Sequence, residues 1–316
     1  MKSIIVIGHK NPDTDSIVSA LVFTDFLKKV KKSILGFSDF KIKPARAGSL
    51  NKETKFVLDY FKQKTPALVN NLKNKDVILV DHGEFSQSAK GVERANIVGV
   101  LDHHKLGGIE SALPIFYRSE PIGSTSTLIA KMFLENNLSF DKKTAGLLLA
   151  AILSDTFKLT SPTTTNEDKE IVKILAKASK ENMNKLAQKM FQAKSNIEGI
   201  SMDELVSMDY KEYEGGGISF GIGLYETTHP QKIKEKKEEI LSALKRLKKK
   251  RKVKLMFFAV VDILKKNSEM FLLGEEEKLT AQKAFKKKAK GNLLFLSCVS
   301  SRKKQMIPLV VSFLEK

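Results

Sequence analysis

Residues 8–16 read Gly8-His9-Lys10-Asn11-Pro12-Asp13-Thr14-Asp15-Ser16 and carry one imidazole and two carboxylates. They follow the apolar run Ile4–Ile7, which predicts a buried strand, and precede apolar residues at helical spacing between Ile17 and Leu27. The loop therefore lies at the carboxyl end of a strand and the start of a helix, where open α/β sheets bind ligands. Two carboxylates this close repel each other, and a bound cation would relieve the repulsion.

Ordinary helix capping is an alternative explanation for part of this loop. Asp and Ser are common N-cap residues, so Asp15 or Ser16 could cap the following helix. Capping leaves His9 and Asp13 without a role. The loop alone is therefore compatible with a capped helix or with a metal site.

Three further acidic clusters directly follow apolar elements. They are Asp81-His82-Gly83-Glu84 after Asp76–Val80, Asp102-His103-His104 after Asn96–Leu101, and Ser154-Asp155-Thr156 after the helical candidate Lys143–Leu153. For any single Asp, turn or cap chemistry is a sufficient explanation. In a doubly wound sheet, however, these ends share one edge with the His9 loop, and unpaired buried carboxylates are costly. The combined pattern predicts a metal site at this edge.

The candidate ligands are carboxylates and imidazoles, without sulfur. Such a set suits Mn, Co, Mg or Fe(II) better than structural zinc. One ion does not need so many ligands, so we expect a bridged pair of divalent ions about 3.5–4 Å apart, as in phosphoryl-transfer hydrolases. His103 and His104 are adjacent in an extended segment and should point to opposite sides, one to metal and one to substrate. Asp102 would then fix an imidazole tautomer.

Composition limits the class of protein. The chain has 316 residues, a formal charge of +19 and a single cysteine, Cys298, in an apolar run where we expect it to be buried. No run is long enough for a transmembrane helix, and the N-terminus lacks a signal-peptide pattern. A single cysteine permits no internal disulfide, so we expect a cytoplasmic protein. The positive charge is compatible with nucleic acid binding, but solvated lysine-rich helix faces are the simpler explanation.

The pattern of elements predicts two α/β domains. From Lys2 to about Met190 strands and helices alternate, which predicts a doubly wound, mostly parallel sheet with helices on both faces. Polar residues and Gly over residues 193–201 predict a hinge near Asn196. Residues 202–316 predict a smaller domain with a mixed sheet, a long helix at Gln231–Lys249 and a final strand at Ile307–Val311.

Together the motifs resemble the DHH phosphoesterase superfamily, through His9-x-x-x-Asp13-x-Asp15, Asp81-His82 and Asp102-His103-His104. Other stretches resemble one of its branches, the family II inorganic pyrophosphatases. They are Tyr117–Gly123, Leu153–Thr156, Lys158–Thr163, Glu204–Tyr213 and Ser301-Arg302-Lys303-Lys304-Gln305. The Asp-His-His triplet is specific only to the superfamily, whereas the Ser-Arg-Lys-Lys-Gln stretch is specific to the branch. The resemblance extends along essentially the whole chain.

The resemblance implies a manganese-dependent enzyme, a hydrolase that splits pyrophosphate into two orthophosphates with a hydroxide bridging two metal ions. It implies a catalytic metal-binding domain over residues 1–192, a DHH-associated substrate-binding domain over residues 202–316, and an active site in the cleft between them. It further implies two Mn²⁺ or Co²⁺ ions per subunit, Mg²⁺ arriving with the substrate, and a homodimer formed through the N-terminal domain. We expect neither nucleic acid nor a membrane as a partner.

The resemblance also implies a role for each candidate residue. His9 and Asp13 hold one metal, Asp15, His103 and Asp155 hold the other, and Asp81 bridges the two. Lys211, Arg302 and Lys303 bind the substrate and neutralise its charge during catalysis. His104 contacts the substrate and is a candidate acid for the leaving phosphate. The chain departs from the usual family pattern at Gly83, where members carry Asn.

Two alternative functions remain. The first is a DHH phosphodiesterase that acts on short oligonucleotides or cyclic dinucleotides. Against it, Gly215-Gly216-Gly217 lacks the nearby His that other branches carry with their glycine-rich motif. The second is a basic, non-enzymatic protein that binds nucleic acid, which predicts salt-dependent binding and no need for His9 or Asp81.

Overall fold

The computed structural model describes residues 3–30, 40–105, 107–111, 113–195, 197–263 and 265–315, apart from the side chains of Lys303 and Lys304. The chain divides into two compact units, Met1–Lys194 and Ser195–Lys316. Each unit has its own β-sheet, so the predicted two-domain α/β fold is confirmed. The linker over residues 193–201 and the cleft between the domains stay predictions, and Asn196 lies outside the described residues.

The sheet of the first unit is parallel throughout. In spatial order its strands are β3 (Ala67–Leu68), β2 (Lys41–Arg46), β1 (Ser3–Ile7), β4 (Asp76–Val80), β5 (Asn96–Asp102) and β6 (Phe116–Ser119). The direction of winding reverses between β1 and β4. In a doubly wound sheet this reversal opens a crevice at the carboxyl ends of the two strands.

Burial explains why the central strands are continuous apolar runs. Residues 77–80 of β4 have no exposed surface, as expected for a parallel strand that is covered on both faces. Val77 and Leu79 pack with Leu72 and with Val92, which lies in a 3₁₀ turn. Polar side chains can therefore collect only beyond the strand ends.

The helices of the first unit begin at polar N-caps. They are α1 (Thr14–Lys29), α2 (Lys52–Tyr60), α3 (Thr125–Glu135), α4 (Lys142–Asp155), α5 (Asn166–Ser179) and α6 (Met183–Lys194). Before each of α1 to α5, an Asp, Asn, Ser or Thr side chain accepts a hydrogen bond from a first-turn N–H. Helix α4 contacts α1, α3, α5 and α6, which explains why it is apolar on all sides. Its last residue, Asp155, is a predicted metal ligand.

The second unit contains a mixed sheet. In spatial order its strands are β11 (Leu293–Leu296), β10 (Asn267–Leu272), β9 (Leu255–Asp262), β8 (Ile218–Thr227) and β7 (Tyr210–Gly215), with β8 and β9 parallel and the other pairs antiparallel. Its helices are α7 (Met202–Ser207), α8 (Pro230–Lys234), α9 (Lys237–Arg251), α10 (Glu275–Phe285) and α11 (Ile307–Leu314). No helix in the described part of either unit has both the length and the apolar character needed to cross a bilayer.

Three local predictions in this unit are wrong. The predicted last strand is helix α11, which begins with Pro308 in its first turn and packs against α10 and β7. The predicted long helix is divided into α8 and α9 at Glu235-Lys236. Cys298 is exposed rather than buried, because β11 ends at Leu296 and the chain turns, with a left-handed φ of 57° at Cys298.

Candidate metal centre

The reversal of strand order places the two central ligand candidates beside each other. His9 follows β1 by two residues, and Asp81 directly follows β4, the neighbouring strand across the reversal. His103 follows β5, the next strand along. Parallel pairing brings these carboxyl ends to one edge, as the sequence predicted. The candidates therefore meet because of topology, although they are far apart in the chain.

Asp81 lies at the middle of the cluster. Its side chain is 1% exposed, and its φ of 61° is left-handed, a conformation that Asp tolerates better than most residues. Oδ2 lies 3.5 Å from Nε2 of His9, and Oδ1 lies 3.5 Å from Nε2 of His103. Thr125 Oγ1 donates a hydrogen bond to Oδ1 at 2.9 Å, which fixes the carboxylate plane. One carboxylate thus presents an oxygen to each of two imidazoles.

The His9 side of the cluster is built by the start of α1. Oδ2 of Asp13 lies 3.5 Å from His9 Nε2, while Oδ1 accepts a hydrogen bond from the N–H of Ser16 at 2.9 Å. The expectation that Asp13 has no capping role is therefore wrong: it caps α1 and also faces His9. Ser16 Oγ accepts a hydrogen bond from the His9 N–H at 3.1 Å. Gly8 permits this approach, because a Cβ there would lie 1.9 Å from Ser16 Oγ.

The His103 side gathers two more carboxylates. His103 Nδ1 bonds to the carbonyl of Ile122 at 2.9 Å, so this nitrogen is the donor, and Nε2 is the nitrogen that can bind a metal once its proton is lost. Nε2 lies 3.5 Å from Oδ2 of Asp155. Asp15 is fully buried, and its two oxygens accept the N–H groups of Thr125 and Ser126 at 2.7 and 3.0 Å. The first-turn N–H groups of α3 therefore hold both oxygens of this buried carboxyl group.

The arrangement fits a pair of metal ions. Ligand atoms of His9, Asp13 and Asp81 lie within 4.8 Å of one another, and so do those of Asp15, Asp81, His103 and Asp155. Asp81 Oδ2 and His103 Nε2 are buried and have no hydrogen-bond partner among the residues that the structure describes. The 3.5 Å separations are too long for hydrogen bonds but match two ligands each about 2.1 Å from one ion. All donors are oxygen or imidazole nitrogen, a set that Mn²⁺ accepts.

His104 lies at the exposed rim of this cluster. Its Nδ1 is 2.9 Å from Oδ1 of Asp102, and its side chain is 46% exposed. The prediction that Asp102 fixes an imidazole is therefore confirmed. The prediction that His103 and His104 point to opposite sides is wrong: the strand ends at Asp102, and the two ring centroids are 4.2 Å apart. His82, in contrast, is buried, with both ring nitrogens bonded to the chain around it.

The predicted substrate-binding cations lie in the second unit. Lys211 is exposed on β7, opposite Ile222 of β8. The guanidinium of Arg302 donates to the backbone carbonyls of Asp209 and Ile222 and to Oδ1 of Asp209. Lys211 lies on edge strand β7, and Arg302 lies in a π-helical turn whose guanidinium reaches Asp209, just before β7, and Ile222 of β8. The side chain of Lys303 lies outside the described residues.

Family models match the chain in two parts. The model of the DHH family N-terminal domain matches residues 3–152, and the DHHA2 domain model matches residues 188–313. A manganese-dependent inorganic pyrophosphatase of Methanothrix thermoacetophila is 38% identical over 99% of both chains. The Bacillus subtilis manganese-dependent inorganic pyrophosphatase is 36% identical over 98% of both. The chain belongs to the family of manganese-dependent inorganic pyrophosphatases.

A solved structure extends this pyrophosphatase relationship to the fold. The chain is similar to the crystal structure of a putative family II inorganic pyrophosphatase of Methanococcus jannaschii. The TM-score is 0.73 at 37% identity, and the match covers 99% of this chain and 100% of the other. Both units of the chain are therefore part of the family fold.

Protons compete with metal ions for the ligand atoms of the cluster around Asp81. Burial lowers the pKa of His9, but the carboxylates of Asp13 and Asp81 raise it overall, to about 10. Burial lowers the pKa of His103 likewise, and Asp155 and Asp81 raise it overall, to about 12. Burial would raise the pKa of Asp81, yet the two imidazoles hold it below its usual value. A metal ion must therefore displace protons from both imidazoles to bind.

Two carboxyl groups of the cluster also bind protons more tightly than a carboxyl group usually does. Burial and the charge of Asp81 raise the pKa of Asp15 to about 7. Burial and the charges of Asp15 and Asp13 raise the pKa of Asp155 well above its usual value. Because these groups bind more protons in the folded chain than in the unfolded chain, the stability of the metal-free protein falls as the pH rises through about 7. The raised imidazole pKa values act in the same direction at higher pH.

We expect Mn²⁺ to raise the thermal midpoint of the metal-free protein more at about pH 8.5 than at about pH 5.5. At the higher pH fewer protons have to be displaced, and the metal also relieves the carboxylate repulsion. Calorimetric scans with chelator and with excess Mn²⁺, at both pH values, measure the two increments. An equal or larger increment at the lower pH would contradict this coupling.

Several residues that contact the ligands were not found from the sequence. Thr125, Ser126 and Ile122 bond to Asp81, Asp15 and His103, respectively. The Ser-Thr-Ser-Thr run at residues 124–127 resembles ordinary helix-capping sequence, so it carries no sign of a contact with a metal ligand. Their role depends on a tertiary contact between α3 and the ends of β4 and α1.

Proposed function

We propose that this chain hydrolyses inorganic pyrophosphate to two orthophosphates at the Asp81 cluster. One observation carries the proposal: the buried Asp81 carboxylate directs one oxygen to His9 and the other to His103, and each imidazole has a further carboxylate beside it. This is the ligand arrangement of a bridged two-metal site, which serves phosphoryl-transfer hydrolysis. Relatives named manganese-dependent inorganic pyrophosphatase support the same reaction.

The proposed metal ligands form two sets joined by Asp81. His9 and Asp13 would hold one ion, and Asp15, His103 and Asp155 the other. We propose Mn²⁺ or Co²⁺ as the two ions of each subunit, with Mg²⁺ entering on the substrate. Bound ions of this kind supply charge neutralisation and lower the pKa of a shared water to near neutrality. The names of the relatives support manganese.

The chain's own groups would complete the chemistry. His104 lies at the rim of an open cavity of about 520 Å³ that His103 and Asp155 also line. Its bond to Asp102 holds Nδ1, so Nε2 is the nitrogen that would protonate the leaving phosphate. The Asp102 hydrogen bond is the main cause that raises the pKa of His104, which favours the protonated form that an acid needs.

The cations of the second unit are proposed substrate ligands. Arg offers a planar fork and Lys a point charge, and both neutralise phosphate oxygens. We propose this role for Lys211, Arg302 and Lys303. Asp209 already engages part of the Arg302 guanidinium, which fixes its orientation before substrate binds.

The proposed function is tested by the choice of substrate. Phosphate release from pyrophosphate, and cleavage of a linear dinucleotide and a cyclic dinucleotide, are measured with Mn²⁺ present. We expect rapid phosphate release and negligible dinucleotide cleavage. Dinucleotide cleavage without phosphate release from pyrophosphate would move the chain to the phosphodiesterase alternative. Salt-dependent binding of nucleic acid with neither activity would support the non-enzymatic alternative.

We also propose a cytoplasmic homodimer formed through the first unit. Strand β6 lies at one edge of the six-stranded sheet, a position from which a strand can pair with a second copy, and Tyr117 on it is 41% exposed. A reducing compartment is consistent with a single, exposed cysteine. Light scattering of the purified protein measures the oligomeric state.

A further inference from the structure

The segment Ile122–Ser126 forms hydrogen bonds with the proposed metal ligands. It contacts three of the proposed ligands, and each contact fixes a different atom. The Ile122 carbonyl accepts from His103 Nδ1, the Thr125 hydroxyl donates to Asp81 Oδ1, and the N–H groups of Thr125 and Ser126 donate to Asp15. A displacement of this segment would therefore move ligands of both proposed metal ions together.

A buried carboxylate outside the cluster holds this segment in place. Asp168, in the first turn of α5, is 0% exposed. Its Oδ2 accepts a hydrogen bond from the Gly123 N–H at 2.9 Å, and its Oδ1 accepts one from the Thr127 hydroxyl at 2.6 Å. These two donors flank Ser124–Ser126 on either side. One carboxylate thus binds the segment near its start, at Gly123, and just beyond its end, at Thr127.

Helix capping explains only part of what Asp168 does. Asp168 and Thr165 form a capping box, in which each accepts a hydrogen bond from the backbone N–H of the other. Such a box requires neither full burial nor contacts with another helix. The bonds to Gly123 and Thr127 cross from α5 to the start of α3, and they are additional to the capping box.

The position of Gly123 depends on this close contact. A Cβ at Gly123 would lie 2.7 Å from Asp168 Oδ2 and 2.7 Å from Thr156 Cγ2. Both neighbours are buried and held by hydrogen bonds, so neither can easily move. The backbone therefore approaches the Asp168 carboxylate as closely as glycine alone allows. Adjacent Ile122 directs its carbonyl at His103 from this point.

We propose that Asp168 is a positioning residue for the metal centre. It acts through Gly123 and Thr127 on the segment that orients His103, Asp81 and Asp15. The proposal rests on the proposed assignment of these three residues as metal ligands. Groups that orient ligands typically change metal affinity about 10- to 100-fold when they are lost, and Asp168 acts one contact farther away.

The test compares three variants by Mn²⁺ binding to metal-free protein, without substrate. Free Mn²⁺ is counted by electron paramagnetic resonance during titration. Asp168→Ala removes every contact of the carboxylate, and we expect the Mn²⁺ dissociation constant to rise about tenfold. Thr165→Ala removes the hydroxyl that accepts from the Asp168 N–H and donates to Asp168 Oδ2, but it keeps the Thr165 N–H, Gly123 and Thr127 bonded to the carboxylate. We expect an unchanged constant despite a lower thermal midpoint. Asp168→Asn keeps an acceptor for Gly123 and can donate to the Thr127 hydroxyl, so we expect near-normal binding.

Two results would overturn the proposal: an unchanged dissociation constant in Asp168→Ala, or an equal rise in Thr165→Ala. If Asp168→Ala does not fold, Gly123→Ala perturbs the same contact from the other side. The same rise is then expected, and an unchanged constant again overturns the proposal. Failure of the proposed function is recognised separately. In that case the unaltered protein binds Mn²⁺ but releases no phosphate, and the comparison of variants still decides the role of Asp168.

Discussion

Replacing Asp81 with Asn is expected to slow phosphate release from pyrophosphate by about 10³-fold or more, because metal-ion stabilisation of the transition state is worth several kcal/mol. Asn keeps the shape of the side chain and tolerates the left-handed φ of 61°. It removes the negative charge and one of the two acceptor oxygens that face His9 and His103. The variant should therefore fold, yet lose the ligand that joins the two proposed metal sites.

Metal content separates this explanation from a simple loss of structure. We expect the Asp81→Asn variant to retain fewer Mn²⁺ ions than the unaltered protein after the same desalting step. Asp25→Asn is the matched control: Asp25 is exposed on α1 and pairs with Lys28, so activity and metal content should not change. Full activity in Asp81→Asn would show that Asp81 is not a bridging ligand.

Replacing His104 with Gln is expected to lower kcat about 10²-fold while leaving Mn²⁺ affinity unchanged, as for the loss of a general acid. His104 is half-exposed and bonds to Asp102 rather than to a proposed ligand. Nδ1 of His104 lies 4.0 Å from Oδ1 of Asp81. Gln can occupy the same space and keep a polar contact with Asp102, but it cannot deliver a proton.

His229 supplies the control for this substitution. It is exposed in the second unit and makes no capping bond with its side chain, so His229→Gln should have no effect on kcat. A large rise in the Mn²⁺ dissociation constant of His104→Gln would assign His104 to the metal instead. That result has a structural basis, since one possible ligand atom from each of His104, Asp81 and His103 lies within 4.8 Å of the other two.

The cluster could be predicted from the sequence because simple topology assembles it. Asp81 directly follows the apolar run that ends at Val80, and Asp102 closes the run of β5. Parallel strands align their carboxyl ends, so position in the chain was sufficient to bring these residues together. The sequence could not predict which atoms face each other, since that depends on where β5 ends and how the chain turns at His103.

Other features depend on contacts that no local pattern carries. Asp168 occupies the third helical position of a capping box, where an acid needs no further explanation, and its bonds to Gly123 and Thr127 are visible only in three dimensions. Helix α11 was misassigned because a short apolar run fits either a strand or a helix. Pro308, in its first turn, was the available sign of a helix start.

The most direct measurement is phosphate release from pyrophosphate by protein stripped of metal with a chelator, before and after Mn²⁺ is added back. Activity that is negligible when stripped, and fully restored by Mn²⁺, is the result expected if the Asp81 cluster performs two-metal hydrolysis. Activity that persists in the stripped protein would contradict the metal mechanism. No phosphate release with Mn²⁺, Co²⁺ or Mg²⁺ would contradict the proposed reaction itself.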